Sequence, residues 1–438
     1  MKPRSRDSGF GIRDWAKQGF FGRVAGACLL AFCFIAACAT EASAQALDDP
    51  APAESPIPDS RPLPSISLLT VGPGELFFER FGHNAIVVRD ETTGEAVAYN
   101  YGIFDFDEGD FLANFARGHM RYRILGGDLA DDLAMYRAER REIVEQRLNL
   151  SPQQADELVR FLEWNARPEN ALYRYDYFTA NCSTRVRDAL DRALGGALHA
   201  QTEGRSRGYT YRLDALRLMA PEPWLMLLID LGLGPFADQR LDYWQESFVP
   251  ETLRHVVDGA QVADSGGGTK PLLVDTRVLA KGDVQEPPAL PPDLRWPFFF
   301  LGTGLALALL WLSRRRARAA RIALAVFATS FHLVCGIGGL ALLFLWFGSD
   351  HLAAWRNENL LLLSPLCLLL VPAWFRSRRP APNWVLAIAW LVVTGAAFAL
   401  FSKILPWFVQ ANLHWIVLFL PLHLALALAL ALSRKRAA

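Results

Sequence analysis

Cys182 is the residue of this 438-residue chain with the clearest capacity for chemistry. It is the one cysteine of six that lies outside strongly apolar segments; the others are Cys28, Cys33, Cys38, Cys335 and Cys367. A lone thiol in an exported domain has no partner for an intramolecular disulfide, so it either packs as a small side chain or acts as a nucleophile. The pattern after Asn181 predicts that Cys182 starts a helix, where the positive helix end lowers a thiol pKa.

His83 is the candidate general base for this thiol. It precedes a predicted hairpin strand, and a histidine on a strand beside a thiol at a helix start is the arrangement of papain-like hydrolases, here with the histidine first along the chain. An ordinary structural histidine is the alternative, because sequence distance does not show that the two side chains meet. Asn100, one strand further on, has the amide chemistry to orient the imidazole, and His119 is a weaker alternative.

Other polar residues are candidates for substrate binding. Arginines near the predicted strands could hold an anionic headgroup, although such residues more often form a solvated face. Amides at the edge of the apolar C-terminal stretches lie where a lipid substrate would be reached. The candidates are Asn181, Arg117, Arg121, Arg123, Asn357 and Asn359. We expect no cofactor and no metal, since the middle of the chain has no H-x-x-x-H motif and no Cys/His cluster.

The N-terminal 45 residues have the pattern of an export signal. Basic residues up to Arg23 precede an apolar stretch, and Ala42-Ser43-Ala44 fits a signal-peptidase site. The residues before Cys38 also fit a lipobox, so cleavage, retention as an anchor and lipidation all stay open. Each of them delivers the middle of the chain outside the cytoplasm. A Pro- and Ala-rich stretch over 46–61 is expected to be a flexible lead-in.

Residues 296–438 are predicted to form a membrane module. Five apolar stretches are long enough, or nearly so, to cross a hydrocarbon core of about 30 Å. They lie at 296–312, 322–347, 359–375, 384–401 and 413–432. Basic residues follow the first, third and fifth stretches, so residues 46–295 are expected outside and the C-terminus in the cytoplasm. Equal numbers of basic and acidic residues, 45 each, give no sign of nucleic-acid binding.

Residues 62–259 are predicted to form one α+β domain, joined to the spans by a Gly- and Pro-rich linker over 260–295. Strands are expected at Ser65–Val71, Asn84–Arg89, Ala96–Tyr101 and Arg121–Leu125, with at most one more at Leu272–Val274 in the linker. Helices are expected over Asp128–Gln146, from a capping box at Ser151, and from Cys182 to Leu194. A small antiparallel sheet with packed helices follows from this order.

Several ordered blocks of the chain resemble the Lnb-type family, which joins a periplasmic domain to a five-helix membrane module. The blocks are Phe81–Ala85, Tyr99–Phe106, Asp176–Arg185, Pro235–Asp238, Phe248–Pro250 and Trp355–Leu361. The resemblance implies lipoprotein N-acyltransfer at the outer face of the bacterial inner membrane, by a Cys-His site in a permuted papain/NlpC-like fold. The family's thiol and histidine carry over to Cys182 and His83.

Acyl transfer agrees with these residues. Cys182 would attack an ester of a membrane phospholipid, and the α-amine of a lipoprotein would collect the acyl chain from the thioester, with backbone N–H groups stabilising the oxyanion. Five spans favour a substrate that resides in the membrane. Two alternatives stay open: a periplasmic cysteine peptidase or amidase acting on peptidoglycan or protein, and a non-catalytic scaffold in which Cys182 is structural.

Overall fold

The chain combines an α+β domain with a set of apolar membrane-length segments. The computed structural model describes residues 64–104, 110–264, 267–375 and 381–435. The predicted signal and lead-in, with their alternatives at Cys38, lie outside the described residues.

Seven strands of the α+β domain form one antiparallel sheet in the order β6-β4-β3-β2-β1-β5-β9, and β7 pairs with β8 in a separate ribbon. Within the described ranges the strands are β1 (Ser65–Val71), β2 (His83–Arg89), β3 (Ala96–Ile103), β4 (Arg121–Asp128), β5 (Ile143–Leu148), β6 (Leu172–Arg174), β7 (Gln261–Ala263), β8 (Thr269–Pro271) and β9 (Leu273–Ala280). The predicted α+β class and the predicted hairpin of β2 and β3 are confirmed.

Nine α-helices belong to the α+β domain, and four long α-helices belong to the membrane module, within the described residues. Within the described ranges they are α1 (Phe111–Arg117), α2 (Leu129–Ala138), α3 (Pro152–Asn165), α4 (Cys182–Ala193), α5 (Ala197–Thr202), α6 (Tyr211–Met219), α7 (Pro223–Gly232), α8 (Tyr243–Glu246), α9 (Pro250–Gly259), α10 (Arg295–Arg314), α11 (Arg318–Phe347), α12 (Asn383–Phe401) and α13 (Leu413–Lys435).

Both faces of the central strands are buried. Because side chains alternate along a strand, Leu68 of β1 packs with helices α3, α4 and α9, whereas Leu69 and Val71 pack with α2 on the other face. This explains why six of the seven residues of β1 are buried, including the small polar residues Ser67 and Thr70. The sheet therefore lies between α2 on one face and α3, α4 and α9 on the other, and α4 packs against β2 and β3.

The helix predicted over Asp128–Gln146 is wrong in its second half. Helix α2 ends at Ala138, Arg140 adopts a positive φ of 56°, and β5 begins at Ile143. The β-branched Ile143 and Val144 fill the place between β1 and β9, where they are buried. Tertiary pairing thus overrides the helical propensity of this segment.

The linker predicted over 260–295 is shorter than expected, because β7, β8 and β9 all lie in it. Strand β9 spans eight residues and pairs with β5 at the sheet edge, where a three-residue strand at most was predicted. Val262 and Leu272 are buried in the same core as the helices of the domain. The connection to the membrane module therefore begins after Ala280.

Five segments have the length and apolar character to cross a membrane, within the part of the chain that the structure describes. They are Arg295–Arg314, Arg318–Phe347, Leu352–Phe375, Asn383–Ile404 and Leu413–Ser433. The five predicted stretches are thus confirmed. The third is built of 3₁₀ turns, chiefly Glu358–Leu361 and Pro365–Phe375. A Cβ on Gly339 would lie 2.0 Å from the carbonyl oxygen of Leu363, so this position admits glycine alone.

Candidate active site

Cys182 occupies the first position of α4, as predicted. Asn181 is the N-cap: its side-chain oxygen accepts from the backbone N–H of Thr184 at 2.9 Å, and the Thr184 hydroxyl accepts from the Asn181 N–H at 2.8 Å. The Asn181 amide nitrogen also donates to the Phe248 carbonyl at 2.8 Å. The buried Asn181 side chain thus fixes the start of the helix. A contact between Asn181 and substrate stays a prediction.

Backbone N–H groups of Asn84, Ser183 and Cys182 itself are directed at the thiol. Burial nevertheless raises the pKa of Cys182 above the usual thiol value, and these N–H groups oppose the rise only in part. The prediction that the helix start lowers this pKa is therefore wrong in its net direction. The contact with Asn84 brings the start of β2, where His83 lies, beside the sulfur.

Strand β3 has a bulge at the point where it passes Cys182. Its pairing with β4 shifts register between Asn100 and Ile103, and Gly102 there has a φ of 90°. A Cβ on Gly102 would lie 3.4 Å from the Cβ of Cys182. The left-handed backbone, which favours glycine, lets β3 run close under the start of α4.

His83 begins a hydrogen-bonded relay that ends at a carboxylate. The Nε2 atom of His83 lies 2.9 Å from Oδ1 of Asn100, and the Asn100 amide nitrogen donates to Oδ2 of Asp132 at 2.7 Å. Because an ionised carboxylate only accepts, Asp132 turns the amide so that Oδ1 faces the imidazole. Oδ1 in turn requires a proton on Nε2, which leaves Nδ1 of His83 able to accept one.

Two charged groups at this site, Arg141 and Asp132, were not singled out from the sequence. Burial lowers the pKa of His83 from 6.5 to about 4, the Asn100 bond raises it in part, and Arg141 lowers it further. Arg141 also acts to lower the pKa of Cys182. The pKa of Asp132 is raised by burial. Both residues lie in the segment that was predicted as one continuous helix. Recognising that the helix ends before Ile143 would have placed Asp132 on a helix and Arg141 in the connection that leads to β5.

His119 is not part of this relay. Its Nε2 lies 2.9 Å from a carboxylate oxygen of Asp350, which Arg174 also contacts at 2.8 Å, in the connection between α11 and the third span. Arg117, Arg121 and Arg123 are exposed, and within the described residues no ion pair holds their guanidinium groups. Their binding of an anionic headgroup stays a prediction.

Asn357 and Asn359 fasten the α+β domain to the membrane module. The Asn357 amide nitrogen donates to the carbonyls at the end of α7, 3.0 Å from Leu231 and 2.9 Å from Gly232, and that of Asn359 also reaches Leu231 at 3.0 Å. Both amides are buried. Their donors satisfy helix-end carbonyls, so a role in substrate binding is a prediction that these contacts do not support.

Asp230 of α7 makes a second connection to the spans. Its carboxylate accepts from Arg212 at 2.7 Å and from the Trp415 indole at 2.8 Å, and it lies 2.5 Å from Nε2 of His414. Burial acts to raise the pKa of Asp230, but the bonds from His414 and Arg212 outweigh it and lower the net pKa. An ionised carboxylate is thus held inside the junction.

The fold and site define a multi-pass membrane protein that carries a Cys-His constellation on an α+β domain at one face of its spans. The chain belongs to the Lnb family: the model of the Lnb N-terminal periplasmic domain matches residues 62–221, and the model of the Lnb transmembrane domain matches residues 294–437. The α+β domain is therefore periplasmic. No curated protein and no solved structure matches the chain.

Proposed function

We propose that this protein is a membrane-bound thiol acyltransferase, which moves an acyl chain from a phospholipid through a thioester on Cys182 to the N-terminal amine of a lipoprotein. The observation that carries the proposal is the relay of His83, Asn100 and Asp132 beside a thiol at a helix start. Attachment to five apolar spans supports a lipid substrate, because a soluble substrate needs no such module. A permuted papain/NlpC-like fold is part of this proposal.

The two half-reactions need one nucleophile and one base. Because the pKa of Cys182 is raised and that of His83 is about 4, the resting pair is a neutral thiol and a neutral imidazole. His83 takes the thiol proton as sulfur attacks the ester carbonyl, and returns it to the leaving alcohol. It then takes a proton from the incoming α-amine as that amine attacks the thioester carbonyl, and returns the proton to the Cys182 sulfur as the C–S bond breaks.

Mass spectrometry of the full chain in vesicles tests this function. The vesicles hold phospholipid with isotope-labelled acyl chains and a diacylated lipopeptide acceptor. We expect labelled acyl on Cys182 and then on the amine, loss of both in Cys182→Ser, loss of turnover in His83→Ala, and normal transfer in the matched control Cys367→Ser. In a second arm the label is placed in the acyl groups of the lipopeptide instead. If no label is transferred from phospholipid, transfer in this arm identifies the lipopeptide as the acyl donor. Turnover in Cys182→Ser would refute the nucleophile.

A comparison of the full chain with its periplasmic domain separates acyl transfer from the peptidase or amidase alternative. Both forms carry Cys182 and His83, so both should form a thioester from a short activated ester in solution. The full chain should use bilayer lipid far better than the isolated domain, because the five spans hold the site at the membrane. Equal activity of both forms on bilayer lipid, or release of peptide from peptidoglycan by either, would favour the hydrolase.

A further inference from the structure

Helix α7 is too apolar for the surface of a soluble domain. Its sequence from Pro223 to Gly232 carries one charge, Asp230, which is buried in the junction. Leu227 and Leu231 pack against the core of the membrane module. Trp224 and Leu228, four residues apart and so on one helix face, are 56% and 60% exposed.

The contacts of α7 place this exposed pair at the height of the bilayer surface. The helix end is bonded to Asn357 and Asn359, at the start of the Glu358–Leu361 turn of the third span, and Asp230 is bonded to His414 and Trp415 at the start of α13. Trp224 lies six residues before Asp230, which is about 9 Å along a helix. Tryptophan is enriched at this depth of a membrane, where its ring is apolar and its N–H is wet.

We infer that α7 lies in the outer leaflet of the membrane, with Trp224 and Leu228 in contact with lipid. We assign lipid as the partner of this exposed pair because α7 continues the apolar surface of the spans. A helix with one apolar face that is fixed at the membrane edge is typical of interfacial insertion. The periplasmic domain is therefore held at the membrane by lipid contacts of α7 as well as by the hydrogen bonds between α7 and the spans.

Site-specific photocrosslinking in the full chain tests this inference. Benzoylphenylalanine is placed at Trp224 or Leu228, in vesicles of phosphatidylethanolamine and phosphatidylglycerol with radiolabelled acyl chains. Val274 and Val278 of β9 serve as matched controls, since they are apolar and 53% and 57% exposed but lie on the sheet edge. We expect lipid adducts at 224 and 228 at least tenfold above the controls. Adducts at control level, or crosslinks between two copies of the chain, would overturn it.

A separate observation concerns Tyr173 of β6. Its hydroxyl oxygen is buried and has no hydrogen-bond partner among the described residues. It lies 4.0 Å from the point where a Gly102 Cβ would be, and the Cβ of Cys182 lies 3.4 Å from the same point. Burial and the nearby thiol raise the pKa of Tyr173, so the phenol keeps its proton. A buried donor left unpaired is costly unless a ligand completes it.

We propose that the Tyr173 hydroxyl donates a hydrogen bond to the carbonyl oxygen of the acyl group, an assignment that rests on the proposed function. As Cys182 sulfur bonds to the carbonyl carbon, the C=O π pair moves to oxygen, and this oxyanion accepts hydrogen bonds from Tyr173 and from a backbone N–H near the thiol. When the C=O bond re-forms, the ester C–O bond breaks and the alcohol leaves with the proton held by His83. The same donor serves the thioester carbonyl in the second half-reaction.

Tyr173→Phe and Tyr101→Phe form a matched pair for the test, because Tyr101 donates to Asn165 at 2.7 Å. In Tyr173→Phe we expect kcat to fall roughly 10- to 1000-fold with little change in KM, unchanged alkylation of Cys182 by iodoacetamide, and no loss of thermal stability. In Tyr101→Phe we expect the reverse: nearly normal kcat and a lower unfolding midpoint, since Asn165 loses its donor.

The outcomes separate this assignment from the proposed function. Full kcat in Tyr173→Phe together with an inactive Cys182→Ser would refute the tyrosine alone. Full activity in Cys182→Ser would refute the function as well. A large loss of stability in Tyr173→Phe would show that the hydroxyl has a structural partner.

Discussion

At the thiol, burial and the helix start act in opposite directions. Burial removes water that would stabilise a thiolate, whereas the N–H groups of Asn84, Cys182 and Ser183 favour the anion, and burial has the larger effect on the pKa. His83 is subject to the same burial, which favours its neutral form. Both side chains are therefore neutral at rest, and the proton passes from the sulfur to the imidazole during the attack.

The pKa of His83 predicts an unusual acid limb. Because its pKa is about 4 in the folded protein, His83 remains a base at pH 5, where a solvated histidine would be protonated. The pH dependence of kcat/KM for a short activated ester should fall with a midpoint close to 4. A midpoint near 6.5 would mean that water reaches the imidazole.

The same shift makes stability depend on pH. Between pH 6.5 and 4 the unfolded chain protonates His83 and the folded chain does not, so the free energy of unfolding should decrease as pH falls through this window. Unfolding of the full chain in detergent, compared with His83→Gln, measures this contribution. An identical pH dependence of the two proteins would contradict it.

Asp132 should act through Asn100. Asp132→Asn replaces an acceptor-only carboxylate by an amide that can also donate, so the orientation of the Asn100 amide is no longer fixed and the imidazole loses its preferred tautomer. We expect kcat to fall roughly tenfold or more while the alkylation of Cys182 is retained. Asp131→Asn is the matched control, since Asp131 is adjacent and exposed. Equal effects of the two substitutions would show that only net charge matters.

At the scale of elements, local signals predicted much of the fold. The capping box at Ser151, the helix start at Asn181 and the turn after Arg89 depend on neighbouring residues, and the structure has all three. Strand β5 was missed because it buries Gln146, whose amide nitrogen donates to the Arg254 carbonyl and to Asp258 of α9, more than 100 residues away. Asp132 and Arg141 were missed for the same reason: their partners come together only when the sheet is assembled.

Strand β9 determines where the periplasmic domain ends. A fragment ending at residue 259 loses Ala260, Val262 and Leu272, which are buried in the main core, and leaves β5 as an exposed edge. Full burial of such side chains contributes about 1.5–3 kcal/mol each for the larger two, against a total stability of about 5–15 kcal/mol. We expect fragment 64–283 to resist proteolysis and to have a clearly higher unfolding midpoint than fragment 64–259. Equal midpoints would show that β9 is dispensable.

At the scale of the whole molecule, two connections of the membrane module contact the periplasmic domain. The connection before the third span bonds through Asp350, the first turns of that span bond through Asn357, and the start of α13 bonds through His414. If α13 crosses the membrane, we expect its end at the opposite membrane face from the domain. This arrangement agrees with the basic residues that follow the first, third and fifth spans.

A reporter fused to the C-terminus tests the orientation. Alkaline phosphatase, which is active only after export, should give no signal after Lys435, whereas the same enzyme fused in the 402–412 connection should be active. The two fusions control for each other because they lie at opposite ends of α13. A strong C-terminal signal would contradict the cytoplasmic orientation.

The junction at Asp230 also has a consequence in time. Its partner His414 lies 184 residues further along the chain. At a synthesis rate of about 5–20 residues per second, roughly 10–40 s pass before that partner exists. During this interval the newly exported domain holds an incompletely paired carboxylate and an exposed α7, and only insertion of the last span completes both. We therefore expect this junction to close only after α13 has inserted, and we expect a chain truncated before α13 to be open to periplasmic proteases at this joint.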